Sequence, residues 1–468
     1  MRVTFVGHAS LLVEAEGIRI LSDPWWKGPC FGAQWWLYPP PFLEVVRARP
    51  VDYIYVSHGH HDHFHPPTLR TFPKGTRVLV AKSLGLGGAL ADLGLQPVEL
   101  ADDERRELAP GLTCQIMQTD GDDSLMVISH GRETGINVND ALHSSPRQVQ
   151  LQFAARLREA YPKIDWIFCG YGVASHFPNC YVIPAKNREA TAAGRQRHFN
   201  RAWANVVNDL SPRIAFPFAA DVVFLDDDLF WANEPTHNGE RPTEAFARLY
   251  PSSATRVLDV APGFVLADGL PLVEKLRTPI RSAELRHAFA DSIRRVNREA
   301  AFDRTELGRV VSLLRDNVQA GQAYFSSFRG DYRFLIRLRQ SGPAIEIKKR
   351  GPEIAIEAIE PAPGTERRYD LVYTTRLAYV VSSLTTEYGH ETLFVGSGGI
   401  FEYVDASTVG RRLHRELIAM LKPAGGALVR RPDRWRVRLA GMKRSLRQLL
   451  GRSSEDLYDL RTWTVFSR

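Results

Sequence analysis

The chain has 468 residues, about three times the length of a common domain, so one large core plus a substantial second unit is expected. Its 44% hydrophobic and 24% charged residues are ordinary for a globular protein. The opening residues lack the apolar core of a signal peptide and no stretch is apolar enough to span a bilayer, so the expectation is cytoplasmic, with no transmembrane segment. Cys30, Cys114, Cys169 and Cys180 are scattered without paired spacing, which argues against a disulfide framework or a zinc ribbon.

Short apolar runs bounded by turn residues predict strands at Val3 to Val6, Leu11 to Glu14, Ile18 to Leu21, Tyr53 to Val56, Val78 to Val80, Cys114 to Met117, Leu125 to Ile128 and Ile136 to Val138. Helical periodicity covers Pro146 to Tyr161 and Arg188 to Leu210, and a further strand follows at Ile214 to Phe218. This alternation predicts an α/β sandwich with sheets inside and helices outside. The pattern changes near residue 275 to a helical stretch from Ser282 to Asn317. Strands at Tyr332 to Leu338, Ala344 to Lys348 and Ile354 to Ile359, a helix near Arg376 to Leu384 and a strand at Thr392 to Val395 follow. Residues 1–275 and 276–468 are therefore read as two units, the second α+β and either capping or substrate-binding. Its helix, small sheet and helix order resembles, at pattern level only, a sterol-carrier type lipid-binding unit.

The net charge of +7 is uneven, because the tail from Arg430 to Arg452 carries nine basic residues against Asp433 alone. Leu439, Met442, Leu446, Leu449 and Leu450 recur at helical spacing, which predicts a basic terminal helix. A solvated face is the plain reading. An anionic partner, such as a phosphate-bearing or coenzyme A-linked substrate or a membrane surface, is the other, with nucleic acid least favoured because no aromatic interleaving accompanies the charge.

Chemistry concentrates after the strand ending at Val56, in Ser57-His58-Gly59-His60-His61-Asp62-His63. Imidazole and carboxylate are ligands for divalent metals, and Gly59 permits the tight turn that convergence needs. His58 and His60 are expected to bind one metal, Asp62 and His63 a second. In the loop before it, Trp25-Trp26, Trp35-Trp36 and Tyr38 either wall a substrate site or cover the core.

This run resembles the H-x-H-x-D-H signature of the metallo-β-lactamase superfamily, and Gly7-His8-Ala9-Ser10 and Ser22-Asp23-Pro24 look like the opening of its ascorbate-lactonase-like and phospholipase-D-like branches. The resemblance implies an αββα sandwich. It also implies that Asp23 braces the metal loop, that His8 is structural and that Asp140, after Gly135 to Asn139, bridges the two metals. The third histidine of the hydrolytic members is missing, so a carboxylate takes its place, Asp120 first and Asp123 as the alternative. The last histidine is missing too, which leaves Asp221 nearest, with His176 and His237 able to reach in from loops.

Exchanging imidazole for carboxylate favours harder metals, so two irons become the expected cofactor, with two zincs as the alternative. The segments Asp120 to Asp140, Gly170 to Pro178 and Leu210 to Ala220 resemble the metal-fold part of CMP-N-acetylneuraminate hydroxylase. The carboxylate in the third-ligand position is similar to that of diiron hydroxylases on this fold in the chloramphenicol and platensimycin pathways. These resemblances imply a monooxygenase acting on a bulky small molecule, natural-product or sugar-nucleotide-like. The paired Cys and His spacing of a Rieske module is missing, so an external electron donor is expected. The alternatives are a zinc hydrolase of phosphodiesterase or lactonase type and a binding protein with a vestigial site.

Overall fold

Two sheets built from the apolar runs of the first half face each other across a common core in the computed structural model. It describes residues 1–422 apart from 120–122, 173–174, 221, 299–302, 327–329, 340–341, 363, 387–388 and 412. The first sheet has eight strands, in the order Leu270–Val273, Val265–Ala267, Arg2–Gly7, Ser10–Ala15, Ile18–Ser22, Tyr53–Val56, Arg77–Ala81 and Gln96–Leu100. The second has seven, in the order Arg256–Val257, Ile214–Phe218, Trp166–Gly170, Glu133–Asn139, Ser124–His130, Leu112–Gln118 and Arg105–Ala109. Phe5, Val13, Tyr55 and Leu79 of the first meet Ile116, Met126, Phe168 and Phe216 of the second. Each such side chain, fully buried, contributes about 1.5–3 kcal/mol of transfer free energy.

The outer faces are covered by helices, as the periodicity predicts. Arg147–Ala160 and Arg188–Leu210 lie against the second sheet, where Leu157, Trp203 and Val207 are buried with Ile136 and Ile167. Pro66–Leu69 and Gly87–Asp92 cover the first, with Leu69 and Leu90 against Ile54 and Val78. The result is an αββα sandwich. Ile18–Ser22, Tyr53–Val56 and Arg77–Ala81 run parallel, as do Glu133–Asn139, Trp166–Gly170 and Ile214–Phe218.

A third sheet of six strands joins Tyr181–Val182 to Gly399–Tyr403, Leu371–Thr375, Tyr332–Leu338, Ala344–Arg350 and Glu353–Ile359. Helices Arg304–Ala320, Leu377–Thr385 and Leu413–Met420 share its core, together with Trp25, Phe31, Trp35 and Phe177 from the first half. The helical stretch expected from Ser282 to Asn317 takes the form of three helices, Ser282–Ala288, Ala290–Asn297 and Arg304–Ala320. Asp303 starts the last of these afresh, its side chain accepting from the backbone N–H of Thr305 and Glu306 at 2.8 and 3.2 Å. The strand expected at Thr392 to Val395 is corrected. Gly389–Leu393 is helical, Thr392 O accepts from Gly398 N at 2.8 Å to close a glycine-rich turn, and the strand is Gly399–Tyr403. The basic terminal segment lies outside the described residues. No helix among the described residues is long and apolar enough to cross a membrane.

Candidate metal centre

The carboxyl ends of several strands converge at one edge of the sandwich. Arg2–Gly7 delivers His8, Ile18–Ser22 delivers Asp23, Tyr53–Val56 delivers the histidine loop and Glu133–Asn139 delivers Asp140. Asp123 comes from the start of Ser124–His130, which is tied to the histidine loop where Ser124 N and Oγ donate to Ser57 O at 3.2 and 2.6 Å. Four non-glycine residues here hold left-handed backbone: His8 (φ 49°), Asp23 (φ 36°), Asn139 (φ 53°) and Ala219 (φ 56°). Such conformations each cost about 1–3 kcal/mol and persist where surrounding structure enforces them, as at functional sites.

Among the described residues, three sets have their donor atoms within 4.8 Å of one another: His58, His60 and Asp123; His58, His63 and Asp140; and His8, Asp62 and His63. His58 Nε2 is 2.8 Å from His60 Nδ1, and His58 Nδ1 is 3.3 Å from Asp123 Oδ1. His63 Nε2 is 3.3 Å from Asp62 Oδ2 and 3.5 Å from Asp140 Oδ2, while His8 Nε2 is 3.1 Å from Asp62 Oδ2. His63 Nε2, Asp62 Oδ1 and Asp140 Oδ1 are buried with no hydrogen-bond partner among the described residues. Buried polar atoms normally have partners, and imidazole nitrogens and carboxylate oxygens are what a divalent cation binds, so the cluster fits metal.

Asp23 organises this loop. Its Oδ1 accepts from Ser57 N at 2.8 Å; its Oδ2 accepts from Ser57 Oγ at 2.7 Å and from Asn139 Nδ2, and lies 3.1 Å from His63 Nδ1. A donor at His63 Nδ1 leaves Nε2, facing Asp62 and Asp140, as the nitrogen that offers a lone pair once a metal displaces its proton. Burial, then neighbouring histidines, pushes His58 well below its usual range. Burial opposes charge on His63 and on both aspartates, yet their mutual attraction prevails. His63 is raised well above its usual range, Asp62 falls well below its own, and Asp140 is lowered to about 2. Burial, then Asp140, raises Asp123 to about 6.

The other expected residues divide. Asp120 and Asp221 lie outside the described residues. His176 sits on the wall of a cavity of about 310 Å³ with His60, Asp123 and Asp140, and burial, then the Arg195 cation, lowers it to about 4. His237 does not reach in: its Nε2 donates to Val222 O and its Nδ1 accepts from Arg277 Nη2, both at 2.7 Å. The ring is committed to holding the loop. Of the aromatic loop, Trp35 lines a cavity beside the cluster, whereas Trp25 is buried edge-on to His8, Trp26 packs on Phe72, and Trp36 and Tyr38 pack on Phe289.

Sequence reasoning passed over His143. It lies one helical-type turn beyond Asp140, lines the 310 Å³ cavity and has its Nε2 2.5 Å from Gly172 O. Gly170 gives the close approach this requires, since a Cβ there would lie 2.6 Å from Asp140 Oδ1 and 3.2 Å from His143 Cε1. The spacing Asp140-Ala141-Leu142-His143 is the one signal that pointed to it. His8, read as structural, belongs to a metal-capable set, and the signal was its place directly after the first strand.

The family model described as "Beta-lactamase superfamily domain" matches residues 2–137, the segment that supplies His8, Asp23, the histidine loop and Asp123. The chain carries a metallo-β-lactamase fold. A Mycobacterium tuberculosis (strain CDC 1551 / Oshkosh) protein named for a Rieske 2Fe-2S iron-sulfur centre is 30% identical over 261 residues, covering 53% of this chain and 48% of the relative. The chain thus spans about half the length of the curated relatives it matches. A Danio rerio cytidine monophosphate-N-acetylneuraminic acid hydroxylase is 38% identical over 73 residues, 15% of this chain and 12% of the relative. The solved structure of a CmlA beta-hydroxylase mutant is similar at 19% identity with a TM-score of 0.40, covering 57% of this chain and 53% of that one. The solved structure of a metallo hydrolase from Ignicoccus hospitalis KIN4/I is similar at 16% identity with a TM-score of 0.38, covering 57% of this chain and 97% of that one.

Proposed function

We propose that this chain is a non-haem diiron monooxygenase that hydroxylates a bulky organic substrate with dioxygen and electrons from a separate donor. The observation that carries this reading is the pairing of His58 and His60 with a carboxylate, Asp123, rather than with a third imidazole. Two imidazoles with one carboxylate are the ligand set that suits non-haem iron, whereas a three-imidazole set suits zinc. The hydroxylase named among the relatives supports the same class. His58, His60 and Asp123 would hold one iron, Asp62 and His63 the other, with Asp140 between them. The iron pair, when bound, supplies the reduction of dioxygen that zinc lacks.

The residues of the chain do the rest. The 310 Å³ cavity beside Asp123 and Asp140 receives substrate, and Phe394 and Val395 from the C-terminal part close one wall and exclude water. On this reading residues 1–275 form the metal unit and residues 276–468 the unit that caps it. The four cysteines are free and buried, in keeping with a cytoplasmic protein.

A second reading, a zinc hydrolase, is favoured by one observation: His8 joins Asp62 and His63 in a metal-capable set, so that the cluster as a whole offers His8, His58, His60 and His63 beside Asp62, Asp123 and Asp140, more imidazoles than carboxylates. One experiment separates the two. Protein from iron-supplemented cells, purified without chelators, is analysed for iron and zinc and tested for reductant-dependent oxygen consumption. About two irons per chain and oxygen uptake are expected. Two zincs, persisting after anaerobic reconstitution with iron, would replace the monooxygenase with the hydrolase.

A further inference from the structure

The cavity of about 310 Å³ beside Asp123 and Asp140 is also lined by His143 and His176, imidazoles that belong to none of the three metal-capable sets among the described residues. His176 is partly exposed, and its ring donates to the backbone carbonyl of Phe394. That carbonyl is itself fixed, because it accepts from Ser397 N at 3.2 Å in the glycine-rich turn of the C-terminal part. The loop carrying the ring is closed by two further bonds: Phe177 N donates to Ser175 Oγ at 3.1 Å, and Cys180 N donates to His176 O at 2.8 Å. The rings of Tyr181, Phe394 and Phe401 pack around it, with centroids 5.6, 5.8 and 5.9 Å away.

A neutral imidazole that donates through one nitrogen carries a lone pair on the other. His176 is lowered to about 4, so near neutral pH its second nitrogen is an acceptor held in place before a ligand arrives. His143 repeats the arrangement on the same lining. Its Nε2 lies 2.5 Å from Gly172 O, and its Nδ1 is buried with no hydrogen-bond partner among the described residues. The described lining contains no Lys or Arg. With His60, Asp123 and Asp140 committed to metal, an anionic group finds no fixed cation on this wall, whereas a hydroxyl or N–H finds an acceptor. Such an acceptor discriminates, because an analogue that lacks the donor shuts it away from water unpaired.

We propose that His176 is a specificity-determining residue that accepts a hydrogen bond from a hydroxyl or N–H group of the substrate in this cavity. The assignment rests on the reading of the cavity as the substrate site of the metal centre.

The test is ligand-observed NMR titration of the metal-loaded full chain, with metal per chain measured alongside. Benzyl alcohol and acetanilide serve as hydroxyl and N–H donors, and benzyl methyl ether and N-methylacetanilide as their donor-free matches. Wild type is expected to bind a donor roughly five- to ten-fold more tightly than its match, the scale of one neutral hydrogen bond. The pair with the larger ratio identifies the donor as hydroxyl or N–H. His176→Phe should lose the preference while keeping its metal and its affinity for the donor-free probes. His176→Gln, whose amide oxygen can accept, should keep part of it. An equal preference in wild type and His176→Phe overturns the proposal, because the donor then sits on the metal. Loss of metal from a folded His176→Phe also overturns it, by placing the ring among the ligands. Should His176→Phe not fold, His176→Leu takes its place, and a wild type without preference overturns the proposal whichever variant folds. Failure of the monooxygenase reading would appear separately, as zinc in place of iron with the His176-dependent preference intact.

Discussion

Asp123 is, among the described residues, the carboxylate that completes the set begun by His58 and His60. Thr119 N donates to Asp123 O at 3.1 Å, which closes the turn and brings Asp123 back beside His58. Asp123→Asn is therefore expected to lower bound metal from about two ions per chain toward about one, whereas Asp120→Asn keeps more. Elemental analysis of both variants checks this, and the reverse ranking would return the ligand role to Asp120. His237 and His176 lead to a pH effect. Burial, with the Arg277 cation next, holds His237 well below 6.5, and His176 is lowered to about 4. Both titrate near 6.5 when unfolded, so as pH falls below about 6.5 the unfolded chain binds protons that the folded chain refuses. Stability should decline there by up to about 1.4 kcal/mol per pH unit for each such histidine, and for His176 the decline ends near pH 4. His237→Gln should be less stable at pH 7 but show a shallower fall in urea midpoint between pH 7 and 5; an unchanged slope would mean His237 is not a contributor.

At the level of elements, the strand Trp166–Gly170 runs between Glu133–Asn139 and Ile214–Phe218 and ends in a glycine against Asp140. Gly170→Ala is expected to displace Asp140, lowering metal content together with melting temperature, because the added carbon would lie 2.6 Å from Asp140 Oδ1 and 2.8 Å from Asn139 O. Normal metal loading in that variant would show that the loop yields. Sequence reading reached Tyr53–Val56, Arg188–Leu210 and Ile214–Phe218 because their apolar periodicity is strong and local. It passed over Trp166–Gly170, a five-residue apolar run that periodicity alone does not assign, and Arg105–Ala109, a charged edge strand with little alternation. The histidine loop was legible because its donors are adjacent in sequence. His143 was not, because its place beside Asp140 depends on Gly170 and Gly172 of another strand end, and spacing within the turn from Thr119 to Asp123 does not say which aspartate faces inward.

Across the whole molecule, the two parts are joined by charge as well as by apolar contact. Asp226, 2% exposed, lies 2.5 Å from Arg339 Nη1 and 3.3 Å from Arg376 Nη2, both from the C-terminal part. Asp226→Ala would leave Arg376 facing Arg339, which keeps the half-exposed Asp228 at 2.5 Å, and is expected to cost about 3 kcal/mol. Limited proteolysis should then cut the C-terminal part first while bound metal is retained; simultaneous loss of both would mean that the parts unfold as one. The third sheet adds an order of events. Tyr181–Val182 aligns with Gly399–Tyr403 across more than two hundred residues of chain. During synthesis the first half therefore leaves the ribosome long before its partner strand exists, with Phe177, Tyr181, Trp25 and Phe31 still lacking the surface that will bury them. For that interval it is a sticky intermediate, and chaperone demand should rise when translation between residues 275 and 399 is slowed.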